Sequence, residues 1–466
     1  MPPHFLDRYY RPRNVALIGA RTSPGFGFGI PLFWKRRGWL EKAFLVNPKG
    51  GEIQGKKVYS SIPALPEDLD LAVVIVPAPN VKEVLIDLGR KGVRAVIVES
   101  AGFAETGAEG KRRQEEILAV ARDLEMRLLG PNCVGIVNTE NQLATIEVLD
   151  ASLEPGPVAI IAQSGVFGNI LLDYLPEAGL KISKVATLGN KVDLDEVDFL
   201  EYFADDPQTR VILIYQEGTR DGRRLLRALR QACRKKPVVI LKSGRTPLGK
   251  MATLSHTASL SGEDGLYDAA FSQAGAIRAA SLAEMIEIAK VLASQPPMRG
   301  RRVGVLTTSG SLGAMTADAL FEEGLELASW SRGTFEKVRQ AAPDWVNVKN
   351  PMDIGPSGIF PTALEAIFSD PGADGHVLIP VIPYAVVEIW ERVGVPIQKI
   401  LGDWPELRTA AAGKPVVTVL LGGKGWLDQL KALGGDDIAA VSSPEAAAKS
   451  LAALARIHRL PNAREK

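Results

Sequence analysis

The chain has 466 residues, 46% of them hydrophobic and 23% charged, with a formal net charge of +1. That balance fits an ordinary globular protein and excludes both a disordered chain and a binder of nucleic acid or another polyanion; at about 150 residues per domain the length allows roughly three domains. Cys133 and Cys233 are too few and too far apart for a disulfide framework or a metal site, which points to a reducing cytoplasm and to no metal ligands in the chain.

The N-terminal arm lacks the apolar core of a secretory signal. From residue 14 onward, short apolar runs alternate with longer amphipathic ones. Val15-Ala-Leu-Ile, Ala43-Phe-Leu-Val, Leu71-Ala-Val-Val-Ile-Val, Ala95-Val-Ile-Val and Arg127-Leu-Leu read as strands buried on both faces. Residues 80–91 and 109–125 read as amphipathic helices between them. The class is therefore α/β, a doubly wound parallel sheet.

The first strand runs into a glycine-rich turn, Gly19-Ala20-Arg21 through Gly25, Gly27 and Gly29, whose backbone can approach a phosphate at a helix N-terminus. A nicotinamide-binding fold generally places an acid at the end of the second strand to hold the ribose. Here that strand ends in Asn47-Pro-Lys49-Gly-Gly, and a lysine there favours an extra phosphate, such as the 3′-phosphate of coenzyme A or the 2′-phosphate of NADP. The next strands end in Val76-Pro77, Glu99-Ser100 and Pro131-Asn132-Cys133, all at the edge where such a sheet binds its ligand. Turn chemistry alone also selects Gly, Pro and Asn.

Beyond Pro155, Val158-Ala-Ile-Ile-Ala-Gln-Ser164-Gly165-x-x-Gly168 with Asp173 is echoed by Val303-Gly-Val-Leu-Thr-Thr-Ser309-Gly310-x-x-Gly313 with Asp318. Asp206-Pro207 and Asp370-Pro371, and the two Lys-Pro-Val-Val runs at 236 and 414, extend the echo, so two copies of one α/β domain follow the first. Ser-Gly-x-x-Gly after a strand opens a helix whose N–H groups and positive end suit phosphate or carboxylate. A hydrolase elbow would need glycines where Ala162 and Val166 stand.

Residues 244–251 follow the P-loop pattern except at the end, where Met251 lacks the hydroxyl that binds Mg²⁺. The segment reads instead as a loop leading to His256, the one histidine of four set among small and hydroxylic residues. A neutral imidazole can attack an acyl phosphate directly. Residues 377–390 are the most apolar run, but Pro380 and Pro383 interrupt it. It is too short to span a bilayer and reads as a buried strand with its following loop, so no membrane role is expected.

The order of glycine-rich turn, Asn-Pro-Lys-Gly-Gly, Val-Pro-Ala-Pro, Gly-Pro-Asn-Cys, Gln-Ser-Gly, Gly189-Asn190-Lys191, Glu217-Gly218 and Ser255-His256-Thr257 resembles the α subunit of NDP-forming acyl-CoA synthetases, relatives of succinyl-CoA synthetase. The resemblance implies a Rossmann-like CoA-binding domain over residues 1–145, a flavodoxin-like domain with the phosphohistidine loop over 150–295, and a second over 300–466. It implies that His256 is phosphorylated, that Glu217 orients it, and that Ser164 and Gly165 hold phosphate. Gly19, Ala20, Arg21, Asn47, Lys49, Val76, Pro77, Ser100 and Asn132 would meet CoA. Asn190 and Lys191 would meet the substrate carboxylate, although Lys191 could equally pair with Asp193 on the surface. An ATP-grasp β subunit would bind Mg²⁺ with ADP or GDP, and residues 244–262 would be a mobile arm. The sequence departs from the family at Ala258, usually glycine, and at Gly310-Ser-Leu-Gly313, where a Gly-Gly-Pro-Gly-like turn is usual. A non-catalytic CoA-sensing protein and an NADP-linked oxidoreductase are the alternatives.

Overall fold

The protein is described from a computed structural model, which covers all residues except 1–3, 67, 149–152, 258–261, 396–400, 402–410, 412, 424, 430–438 and 458–466, and the backbone alone at 254–257 and 384. The chain forms two compact units, Met1–Ala280 and Ser281–Lys466.

The first unit holds two sheets. After the short helix α1 (Asp7–Tyr10), strands β1 (Val15–Ile18), β2 (Ala43–Val46), β3 (Glu52–Ile53), β4 (Lys56–Tyr59), β5 (Leu71–Val74), β6 (Ala95–Val98) and β7 (Arg127–Leu129) form a sheet in the order β3-β4-β2-β1-β5-β6-β7. Apart from the β3–β4 hairpin all pairings are parallel. β1, β5 and β6 are buried along their whole length, which explains their unbroken apolar sequences. Helices α2 (Ile30–Arg37), α3 (Ala78–Arg90) and α4 (Ala108–Asp123) complete this layer. The order of strands reverses at β1 and β5, where a doubly wound sheet opens its ligand crevice.

The second sheet runs β14-β13-β12-β10-β11-β8-β9, from β8 (Ile136–Asn138), β9 (Leu143–Ala144), β10 (Pro155–Ala162), β11 (Ile182–Thr187), β12 (Val211–Gln216), β13 (Val238–Lys242) and β14 (Ile277–Ala279). Its parallel core has the flavodoxin order 2-1-3-4-5. Helix α5 (Gly165–Glu177) leaves β10 with Ser164 as N-cap, the hydroxyl accepting from Phe167 N at 3.4 Å. Helices α6 (Glu196–Asp205) and α7 (Gly222–Cys233) follow, α6 starting at a reciprocal cap between Asp195 and Asp198. The segment expected to be a loop before His256 is instead helix α8 (Pro247–Thr257). Thr246 Oγ1 accepts from Gly249 N at 3.1 Å and Pro247 takes the first turn, so a helix start is encoded in a stretch that otherwise looks like loop.

The second unit repeats the 2-1-3-4-5 order, with β15 (Arg302–Thr307), β16 (Glu326–Leu327), β17 (Met352–Asp353), β18 (Gly375–Ile379), β19 (Val416–Val419) and β20 (Ala439–Val441). β15 is followed by a helix over Gly310–Glu322, as β10 is by α5. The helix Leu282–Ser294 packs on Pro444–Ile457 within this unit. The stretch up to residue 390 read as loop instead enters a helix, Tyr384–Arg392, behind Pro383.

Candidate functional site

The C-terminal ends of the two sheets in the first unit meet at a cavity of about 400 Å³. Ser100 and Asn132 line it from the first sheet, and Ser164 and Gly165 from the start of α5. Predicted CoA and phosphate residues thus share one space. The first N–H groups of α5 have no intrahelical backbone acceptor and the helix dipole adds positive potential, so this terminus can accommodate an anion. A Cβ on Gly165 would be tightly placed, 3.2 Å from Val134 Cγ1 and 3.4 Å from Val134 N.

The remaining residues expected at CoA stand on neighbouring loops of the first sheet and do not line the cavity. At the switch point a Cβ on Gly19, whose φ is +98°, would meet Ile75 O at 2.1 Å, so only glycine lets the two loops approach. Asn47 ties the second loop to the first through Nδ2 to Ala20 O at 2.8 Å, and its Oδ1 accepts from Lys49 N at 3.0 Å. The Lys49 side chain is left exposed. Ser100 Oγ accepts from Val76 N at 3.1 Å, and Ser100 O from Asn132 N at 3.0 Å, joining β5, β6 and β7 at their ends. Arg21 and Pro77 are exposed on the same rim.

Gln163, to which sequence reasoning gave no role, organises the second sheet's edge. Its Oε1 accepts from Glu217 N at 2.9 Å, Gly218 N at 3.1 Å and Lys191 Nζ at 3.1 Å. Glu217 is 1% exposed, its Oε1 accepts from Tyr215 OH at 3.3 Å, and its carbonyl accepts from Lys242 Nζ at 2.8 Å. Burial pushes the Lys242 ammonium down to about 8, with Asp264 and Glu217 opposing.

Lys191 does not pair with Asp193 on the surface. It is buried, and its ammonium also donates to Glu196 Oε2 at 3.0 Å and Gly218 O at 2.7 Å, so three donors meet three acceptors inside the protein. Asp193 pairs with Arg127 instead, at 2.9 Å. Asn190 is similarly tied, donating to Glu105 Oε2 at 2.6 Å and Gln114 Oε1 at 2.9 Å. Burial works to raise the Glu105 carboxyl, but Asn190 and the N–H groups of Phe103 and Gly102 hold it below its ordinary value.

His256 lies in the last turn of α8, which packs on the turn Ala104–Thr106. Its side chain, and residues 258–261 of the expected mobile arm, lie outside the described residues. In the second unit the helix terminus at Gly310 is differently furnished. Asp353 stands beside Thr307 in register, and a Cβ on Gly310 would lie 2.8 Å from Asp353 Oδ2. The equivalent place beside Ala162 holds the neutral Thr187.

A CoA-binding domain model matches residues 13–139 and a succinyl-CoA-ligase-like flavodoxin domain model matches 155–292. The chain is 36% identical over 460 residues to acetate–CoA ligase (ADP-forming) I subunit alpha of Pyrococcus furiosus, covering 96% of this chain and 97% of that one. It is 35% identical to acetate–CoA ligase (ADP-forming) I of Archaeoglobus fulgidus, covering 98% of this chain and 64% of that longer protein. An acetyl-coenzyme A synthetase of Ca. Korarchaeum cryptofilum, solved with phosphate and ADP, superposes with a TM-score of 0.86 at 30% identity, covering 98% of this chain and 97% of that chain.

Proposed function

Because the chain belongs to the family of alpha subunits of ADP-forming acetate–CoA ligases, and is thus part of an acid–thiol ligase, we propose that it carries the acyl- and phosphoryl-transfer half of the reaction. Phosphate attacks an acyl-CoA thioester to give an acyl phosphate, and the phosphoryl group then passes to His256 and on to ADP. The carrying observation is the shared cavity, which brings the Ser100 and Asn132 loops of the first sheet to the anion-binding start of α5. In this reading the Gly19, Ala20 and Arg21 loop and the Val76–Pro77 turn bind CoA, with Asn47 and Lys49 reaching its 3′-phosphate. Ser164 and Gly165 hold phosphate, whose developing charge the fixed N–H groups stabilise. Glu217, pinned through its backbone by Gln163, fixes the tautomer of His256. Lys191 and Asn190 act as positioning residues, Lys191 by holding Gln163 and the Glu217–Gly218 turn in place.

An ATP-grasp β subunit supplies the nucleotide site and its Mg²⁺. Met251 breaks the P-loop-like stretch at 244–251, relatives are named as alpha subunits, and the single-chain Archaeoglobus relative is longer than this chain. The small-molecule partners are a carboxylate, CoA, phosphate and ADP, a set met in the cytoplasm. Neither the sensing protein nor the oxidoreductase is favoured by the relatives.

The test combines the chain with and without an ATP-grasp partner. The chain alone binds CoA and makes no ATP from acetyl-CoA, phosphate and ADP. The pair makes ATP, and His256→Asn abolishes it. Robust ATP formation by the chain alone would end the division of labour, and an active His256→Asn pair would end the phosphohistidine.

A further inference from the structure

Glu99 is the one carboxyl lining the cavity among the described residues and takes no part in the scheme above. It follows β6 directly, its N–H bonded to Val74 O at 3.0 Å, and is 4% exposed. Neither of its side-chain oxygens makes a well-formed hydrogen bond among the described residues, the Thr145 hydroxyl being the donor near them. A buried carboxyl left unpartnered is costly unless something else uses it. It stands in the same cavity wall as Ser100 and Asn132 on one side and the start of α5 on the other.

We infer that Glu99 is the acid that protonates the CoA sulfur as the thioester is cleaved, and the base that takes the thiol proton in the reverse direction. The inference rests on the acyl-transfer reading given above. A phosphate oxygen of HPO₄²⁻ bonds to the acyl carbon, the carbon–sulfur bond breaks, and its electron pair leaves on sulfur. The Glu99 proton moves to that thiolate, giving CoA thiol, and the resulting carboxylate takes the proton remaining on the acyl phosphate. Glu99 thus ends as it began, and the products are acyl phosphate dianion and CoA.

The surroundings keep Glu99 protonated for this task. Burial first, and then the charge of Glu147, raise the carboxyl well above 4.5, while the Thr145 hydroxyl opposes them. Glu147 is itself held in place, accepting from Gly29 N at 2.8 Å. The other titratable group facing Glu99 is Cys133, whose thiol is raised by burial and by Glu99 and donates to Val98 O at 3.5 Å, so it stays neutral and adds no charge.

The test measures CoA release from acetyl-CoA and phosphate by the full chain, across pH, together with CoA binding by calorimetry. Wild type should lose rate as pH rises through the raised Glu99 value, because the donor is lost. Glu99→Gln should fold, bind CoA within about threefold of wild type, and release CoA more slowly by on the order of 10²-fold or more, with that alkaline limb gone. Glu99→Asp, which keeps a carboxyl, should restore the limb. A Glu99→Gln protein that works at the wild-type rate, or that is slow but keeps the alkaline limb, overturns the inference. A wild-type chain that releases no CoA in the presence of its partner instead refutes the acyl-transfer reading, and this inference with it.

Discussion

Lys191→Met separates a structural lysine from a substrate-binding one. In the wild type the ammonium satisfies Gln163, Glu196 and Gly218 at 3.1, 3.0 and 2.7 Å. Methionine fills a similar volume but leaves the Glu196 carboxylate, 2% exposed, without its cation. Breaking a buried pair in this way costs about 3–5 kcal/mol, which for a unit of this size lowers the melting temperature by on the order of 10 °C. The pH dependence should also invert. Burial works to raise the wild-type Glu196 carboxyl, but Lys191 and Thr219 bring it below its ordinary value. It therefore contributes stability that is present above the unfolded value of about 4.3 and is lost as pH falls. In the variant burial prevails, the folded value rises, and stability is lost as pH climbs through it. Urea denaturation of both proteins at about pH 3, 5 and 8 reads the two slopes, the wild-type one between the lower pair and the variant one between the upper pair, and Glu196→Gln in the Lys191→Met background should recover much of the loss. Denaturation midpoints equal to wild type, combined with a raised KM for the carboxylate, would refute this account and return Lys191 to the substrate.

The exposed Lys49 should give about 1.5 kcal/mol to CoA binding, so Lys49→Ala weakens CoA roughly tenfold by calorimetry while leaving dephospho-CoA unchanged; a wild type that binds both equally removes the contact. Gly165→Val, which drives a side chain into Val134, and Ser164→Ala, which removes the α5 cap, should both impair labelling of the protein by phosphate with CoA binding intact; normal labelling in both would mean the phosphate lies elsewhere. His376, buried with neither ring nitrogen bonded among the described residues, is pushed down to about 3 by burial, Lys414 adding and Asp370 opposing. Its folded value lies below its unfolded value of about 6.5, so stability present above that pH is lost towards pH 3 at about 1.4 kcal/mol per unit. His376→Leu should flatten this slope in urea melts of the full chain, and parallel curves for the two proteins would contradict the assignment.

Strands β1, β2, β6 and β7 were legible because they are largely buried, and such strands carry an unbroken apolar signal. The β3–β4 hairpin was not, since Glu52, Lys56 and Lys57 give it no apolar period. Helix α8 was hidden by Gly249 and its hydroxylic neighbours, its start resting on one Thr246 bond. In the site, glycines at the switch point announce themselves, because close approach admits no other residue. Lys191 does not. Its three acceptors lie 28, 5 and 27 residues away in sequence, and only folding shows that they converge. Glu99 had a usable signal, a carboxylate directly after a buried strand, which the turn residues beside it obscured.

The two flavodoxin-order sheets share one strand-to-helix turn but differ in the residue standing next to it, Thr187 in one and Asp353 in the other. Asp353 is fixed further by accepting from Gly355 N at 3.0 Å. A carboxylate built into the chain meets the helix dipole at the Gly310 turn permanently, at an effective concentration no dissolved ion can match. On the reading proposed above, duplication therefore did not double the capacity of the protein. On that reading the chain is expected to take up one phosphate, because the second helix start already faces a carboxylate of its own.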